Sequence, residues 1–373
     1  MPDFFLADDL SGALDAGAAF LRVGRRVRIV LRPGAWERRT PEEVLGITTE
    51  TRNASPTAAA SVVRATLGIA AARGEKLVYK KIDSTLRGPV AAEIEAVKAM
   101  MPLVRVLFAP ANPRVGRTVQ NGRLLVKGVP VAETDFGRDP ASPLRASAVR
   151  EILGRAADVD VAIPDTLQES DLAEAVRRMD ADGAPWLPVG SGALAVPVAA
   201  RLADRGAPTP APTWPPVPAS PVLMLGGSAH PLNQEQAAAL EREYGVARLT
   251  LSLEQPAQAI LGAADQLRRV GGAILHGPAA RISPAAALRA VVDASVALID
   301  GGGVRRIFAT GGETAHALCE RLDIRSLELC EEIEPGLCLS VGESPRGAYL
   351  LAVKPGGFGD TQTWIRAFER LKE

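Results

Sequence analysis

Two short apolar runs each open into side chains able to hold and activate a small anion. Leu77-Val78-Tyr79 leads to Lys80, Lys81, Asp83, Ser84 and Arg87, and Val104 to Phe108 leads to Asn112, Arg114, Gly116 and Arg117. A guanidinium fork matches a carboxylate in two-pronged fashion, whereas an ammonium suits the point charge of a phosphate. A carboxylate among them can take a proton from a hydroxyl or help to hold a divalent cation. The set therefore suits a small, anionic, hydroxyl-rich ligand. Asp83-Ser84-Thr85 could equally cap the next helix, but adjacent lysines at a strand end are poorly placed for a core, so at least one should face a cleft. Asp8 and Asp9, after Phe4-Phe5-Leu6, either cap the helix that follows or hold a metal or a substrate hydroxyl.

A second group is made of glycine. Gly226-Gly227-Ser228 before His230, Thr310-Gly311-Gly312-Glu313-Thr314 and Lys354-Pro355-Gly356-Gly357-Phe358-Gly359-Asp360 each follow an apolar run. Backbone amides freed at such turns cradle phosphate, and three turns on one sheet edge point to a nucleotide. Gly190-Ser191-Gly192 has the spacing of a dinucleotide fingerprint but lacks the acidic residue about 20 positions on, so packing of helix on strand is the plainer reading. No P-loop motif and no zinc spacing occur, and His230, His276 and His316 are too scattered for a triad.

The elements that must position these residues read as strand–helix repeats, the pattern of an α/β protein with doubly wound, mostly parallel sheets. Strands are expected at Phe4-Leu6, Val27-Leu31, Leu45-Ile47 and Val222-Leu225, and helices at Pro56-Ala72, Asn233-Tyr244 and Ala285-Asp300. Hairpin turns fall at Asn121-Gly122 and Lys127-Gly128. Residues 207–221 are too rich in proline to join a central strand or helix, so they divide the chain into domains 1–206 and 222–373. Lys plus Arg equals Asp plus Glu at 43 each, which leaves no global field to draw in nucleic acid or a membrane. Cys319, Cys330 and Cys338 form no CxxC pair; with no leader sequence or long apolar run, a reducing cytoplasm is the expected location.

ADDLSGA near the start, KKIDSTLRG, the block NPRVGRTVQNGRLLVKGVPVAETDFGRDP, GGSAHPLNQEQ, ATGGETA and KPGGFGD occur in order along nearly the whole chain. Together they resemble the four-carbon acid sugar kinases. That resemblance implies two α/β domains with the active site in the cleft between them. It also implies an alcohol-group phosphotransferase that uses ATP and Mg²⁺ on threonate, erythronate or 3-oxo-tetronate. The N-terminal domain would bind the acid through Asp8, Asp9, Lys80, Lys81, Asp83, Ser84, Arg87, Asn112 and Arg117, with Gly116 beside them. The C-terminal domain would bind the nucleotide through Gly227, Ser228, His230, Gly311, Gly312, Glu313, Thr314, Gly356 and Gly359. Asp8, Asp9 or Asp83 would accept the proton of the attacking hydroxyl, and Arg87 would steady the transferring charge. The chain departs from the family pattern at His230, at Asn233, across Thr48 to Arg52 and at Pro355 to Gly359. No metal ligands are assigned, and a homodimer is compatible with the reading. The alternatives are a silent sensor of acid or nucleotide and, from Gly190-Ser191-Gly192, an NAD-linked oxidoreductase.

Overall fold

The computed structural model describes residues 3–32, 34, 40, 43–139, 142–158, 160–203, 216–227, 230–278 and 283–373. The chain forms two compact units, Met1–Ala211 and Pro212–Glu373. The division falls within 207–221, of which residues 207–215 lie outside the described set.

In the first unit the chain runs β1 (Asp3–Ala7), α1 (Leu10–Arg22), β2 (Val27–Val30), β3 (Val44–Thr48), α2 (Pro56–Ala72), β4 (Lys76–Lys81), α3 (Val90–Met100) and β5 (Arg105–Ala109). A small antiparallel sheet follows, β6 (Arg117–Gln120), β7 (Arg123–Val126) and β8 (Val129–Pro130). Then come α4 (Val149–Leu153), β9 (Val161–Ala162), α5 (Glu169–Ala181), β10 (Trp186–Gly190) and α6 (Gly192–Ala203). The strand order β2-β3-β1-β4-β10-β5-β9 is parallel throughout. Such strands are buried on both faces, which explains their unbroken apolar runs. The chain passes from β1 to the outer strand β2, fills the gap between them with β3, then crosses to β4 on the other side of β1. Loops diverge at such a reversal and leave a crevice beyond the carboxyl ends of the strands. Asp8-Asp9, Thr49–Arg52 and Ile82–Arg87 all emerge there.

The second unit runs β11 (Val222–Gly226), α7 (Pro231–Tyr244), β12 (Arg248–Thr250), α8 (Pro256–Arg269), β13 (Gly272–His276), α9 (Pro284–Gly302), β14 (Arg306–Thr310) and α10 (Gly312–Arg321). It closes with β15 (Ser326–Glu334), β16 (Leu337–Ser344), β17 (Gly347–Lys354) and α11 (Thr363–Lys372). Strands β12-β13-β11-β14-β17 are parallel, and β16 and β15 continue the sheet antiparallel. The sheet is therefore mixed. Its core of Met224, Ile274, Phe308 and Ala352 is sealed by Trp364 and Phe368 of α11. The order of the strands, not their direction, reverses between the parallel neighbours β11 and β14, so Gly226-Gly227 lies beside Thr310-Gly311. Among the described residues no helix is long and apolar enough to cross a membrane.

Candidate active site

In the first unit, local sequence fixes the carboxylates before any ligand is considered. Asp9 caps α1: its Oδ1 accepts from Gly12 N at 2.8 Å and its Oδ2 from the Ser11 hydroxyl at 2.6 Å. Capping of this kind satisfies amides that the first helical turn leaves orphaned. Gly12 has no room for a side chain, since a β-carbon would lie 2.6 Å from Asp9 Oδ1 and 2.9 Å from Lys81 Nζ. Lysine and carboxylate thus converge over the start of α1.

Arg52, from the loop after β3, ties both aspartates together. Its Nε and Nη2 donate to Asp8 at 2.9 Å each, and Nη2 also reaches Asp9 Oδ1 at 2.7 Å. Burial works against the charge on Asp8, but Arg52 and then Lys81 outweigh it and hold the carboxyl below its usual range. Gly88 has φ +92°, and a β-carbon there would stand 2.8 Å from Arg52 O, so the loop after β4 is seated on the loop after β3.

The loop after β4 neutralises itself. Asp83 accepts from the Thr85 hydroxyl and from Arg87 Nε and Nη2, at 2.8 and 3.2 Å for the guanidinium. Burial opposes its charge, yet Arg87 and Arg52 hold the carboxyl well below the usual range. Arg87 also lies 3.5 Å from Asp139. The guanidinium carbons of Arg87 and Arg117 sit 5.4 and 5.5 Å from the Phe136 ring centroid. Arg117 Nη1 donates to Ser84 Oγ. Asn112 and Arg117 exchange backbone bonds at 2.8 and 3.0 Å, which brings Asn112 to the same edge. Asn112 Oδ1 is buried and has no hydrogen-bond partner among the described residues, a lack that a ligand hydroxyl could repair.

The structure therefore gathers Asp8, Asp9, Lys81, Asp83, Ser84, Arg87, Asn112 and Arg117 on one sheet edge. Two expected contacts have other employment. Lys80, the neighbour of Lys81 on an alternating strand, points the other way and is fully buried 2.7 Å from Glu93 Oε2 of α3. Gly116, at φ +70°, turns the chain, and a β-carbon there would come within 3.1 Å of Lys127. Arg114 pairs with Glu169 at the surface. The Gly190-Ser191-Gly192 turn is a packing device: carboxylate Asp15 fills the space beside Gly192, and Ser191 Oγ donates to Ala111 O at 2.5 Å.

Glu50 and Arg52 were not singled out from the sequence as site residues. The signal was available, since both follow a parallel strand adjacent to β1. Glu50 holds a left-handed φ of 49°, strained for a residue with a β-carbon. Its Oε1 accepts from the Thr48 hydroxyl, and among the described residues Oε2 makes no hydrogen bond. Burial and then the charge of Asp9 push its carboxyl up to about 8.

In the second unit the site is mostly backbone. Gly227 packs on Thr314 so closely that a side chain would overlap the hydroxyl, while Thr310 Oγ1 donates to Leu225 O at 3.3 Å. Gly311 has φ +92° and starts α10, whose first turn carries the exposed Glu313. His230 caps α7, its Nδ1 accepting from Leu232 N at 3.3 Å, and its ring lies 3.2 Å from where a Gly357 β-carbon would stand. These contacts join the three glycine turns at one edge. Ser228 lies outside the described residues.

The first unit thus gathers cations and carboxylates at one sheet edge, and the second edges its sheet with glycine turns. Residues 4–158 match the model of a sugar-binding N-terminal domain, and 223–364 that of a nucleotide-binding C-terminal domain. The chain is 31% identical to the D-threonate kinase of Bordetella bronchiseptica, over 99% of this chain and 97% of the relative. It is 28% identical to the 3-oxo-tetronate kinase of Methylobacterium radiotolerans, over 98% of both chains. The crystal structure of Haemophilus influenzae protein HI1011 shares the fold, with a TM-score of 0.70 at 19% identity over 99% of this chain and all of that one. The chain belongs to the four-carbon acid sugar kinase family.

Proposed function

We propose that this protein transfers the γ-phosphoryl group of ATP to a hydroxyl of a four-carbon sugar acid such as threonate, erythronate or 3-oxo-tetronate. Residues 1–206 would hold the acid, 222–373 the nucleotide, and the proline-rich 207–221 would join them. The carrying observation is the cluster at the ends of β1, β3, β4 and β5, where cations, an unpartnered buried amide oxygen and a carboxylate with a free oxygen share one edge. Family membership directs that chemistry to phosphoryl transfer.

Arg117 and Arg87, steadied by Ser84, Asp83 and Phe136, bind the acid's carboxylate. Asn112 Oδ1 accepts from a substrate hydroxyl. Lys81 offers its ammonium to charge developing on the transferring phosphoryl group. Proton acceptance falls to Glu50 rather than to Asp8, Asp9 or Asp83. Those three are consumed by Arg52, the start of α1 and Arg87, whereas Glu50 keeps an open oxygen and a proton affinity near neutrality. The hydroxyl oxygen attacks the γ-phosphorus, its proton passes to Glu50, and ADP leaves with the bridging oxygen. Asp8, Asp9 and Arg52 position the loop that carries Glu50.

Among the described residues no three His, Cys, Asp or Glu side chains gather as a metal site. A Mg²⁺ would arrive on the ATP phosphates and need only one or two protein carboxylates. Glu313 makes no hydrogen bond or ion pair among the described residues and would complete its shell. The ion would neutralise phosphate charge.

The test is a coupled ADP-release assay with Mg-ATP and a panel of tetronates, read in parallel by phosphorus NMR. The reading expects a phosphate ester to form in step with ADP for at least one four-carbon acid. ADP release that yields only inorganic phosphate, or none with any acid, would overturn it.

A further inference from the structure

Lys354 ends β17 and is wholly buried, and no step described so far uses it. Its Nζ lies 3.0 Å from Asn233 Oδ1, 3.1 Å from Pro355 O, 3.1 Å from Gly356 O and 3.2 Å from Phe358 O. Gln236 Nε2 adds bonds to Phe358 O at 3.2 Å and Asp360 O at 2.6 Å. Four carbonyls of one short loop thus turn inward onto two buried side chains. No peptide among the described residues is cis. In a trans peptide the carbonyl and the following N–H point in opposite directions. Inward carbonyls at 355, 356 and 358 therefore aim the amides of Gly356, Gly357 and Gly359 outward, and none of these three has a partner among the described residues. Successive outward amides form a concave anion receptor. The ring of His230 stands beside it, 3.2 Å from where a β-carbon on Gly357 would lie.

We propose that Lys354 is a positioning residue that, from beneath, holds the 355–359 loop as a receptor for the phosphate chain of the nucleotide. This rests on assigning the nucleotide to residues 222–373. The side chain touches no ligand itself and works through the direction in which it turns the amides. Glycine at 356, 357 and 359 follows from the same demand, because a phosphate must approach the backbone itself.

The experiment compares ATP, ADP and adenosine binding by wild type and Lys354→Met, with steady-state kinetics on a productive acid. Methionine fills the space but donates nothing. The expected result is a KM for ATP raised about 10-fold or more, from the loss of two or three amide contacts to a charged group. KM for the acid and the affinity for adenosine should stay unchanged. Because the variant could fold poorly, hydrogen exchange on the wild type gives an independent reading. Peptide 354–360 should gain protection with ATP and not with adenosine. A folded variant that binds ATP as tightly as wild type would overturn the proposal, as would a wild-type loop whose exchange ignores bound ATP. A wild type that binds no ATP at all overturns instead the nucleotide assignment on which the proposal stands.

Discussion

The sites proposed in the two units are built from different materials. The edge of the first unit is built from long side chains, each locked by another: Arg52 on Asp8 and Asp9, Arg87 on Asp83, Arg117 on Ser84. The edge of the second is built from peptide groups, and the buried Lys354 faces the inside of the loop. Side chains fixed this way can discriminate a carboxylate from a hydroxyl by fork geometry and charge. Backbone amides read only negative charge at close range, which suffices for a phosphate. A kinase needs selectivity for its acceptor and secure grip on a common donor, and the division of materials follows that need.

The comparison breaks first at the charged network. Arg52→Ala should be the most damaging change, because it leaves Asp8 and Asp9 buried without their shared partner. A loss on the order of 3–5 kcal/mol is expected, measured by urea denaturation. If stability is unchanged, the aspartates are not held as described. Glu50→Gln should lower kcat about 10²–10⁴-fold while leaving KM for ATP near its wild-type value. Retained turnover would return proton acceptance to the aspartates.

The same substitution has a pH signature. The folded-state carboxyl of Glu50 is raised from 4.5 to about 8, so the folded form binds the extra proton. The stability this lends is complete below about pH 4.5 and is lost as pH rises through 8. Glu50→Gln should therefore gain over wild type between pH 5 and pH 9, on the order of 2 kcal/mol after discounting for partial exposure. Thermal melts across that range check it, and a gap that shrinks toward pH 9 contradicts it. The smallest effect belongs to the surface. Arg114→Ala should change stability by less than about 1 kcal/mol and leave both KM values alone, as exposed pairs usually do.

Much of this arrangement was readable in the chain, for a definite reason. Parallel strands buried on both faces leave unbroken apolar runs, and polar residues after those runs must lie at one sheet edge. Leu77–Tyr79 with Lys81 and Asp83, and Val104–Phe108 with Asn112, follow that rule. Turn chemistry was equally plain at Asn121-Gly122, where φ is 50° and 69°. The β15–β16 hairpin is hard to read in the sequence, although Pro335-Gly336 marks its turn, because Glu331 and Glu332 interrupt the apolar pattern. Side-chain direction was not readable. Lys80 and Lys81 are identical in type, and only the strand's alternation sends one to Glu93 and the other to the cluster. Nor can sequence tell a working carboxylate from one already bound, since Asp83 and Glu50 differ by their neighbours. Nor does sequence show that Lys354, at the start of its glycine turn, is buried against carbonyls of that same turn.

The central claim, that acid and nucleotide are read by separate halves made of different materials, is tested most directly by titration calorimetry on Arg117→Met. The account predicts that a tetronate that binds wild type loses about 10-fold or more in affinity, while Mg-ATP binds as before. Loss of Mg-ATP binding with the acid's affinity intact would contradict it.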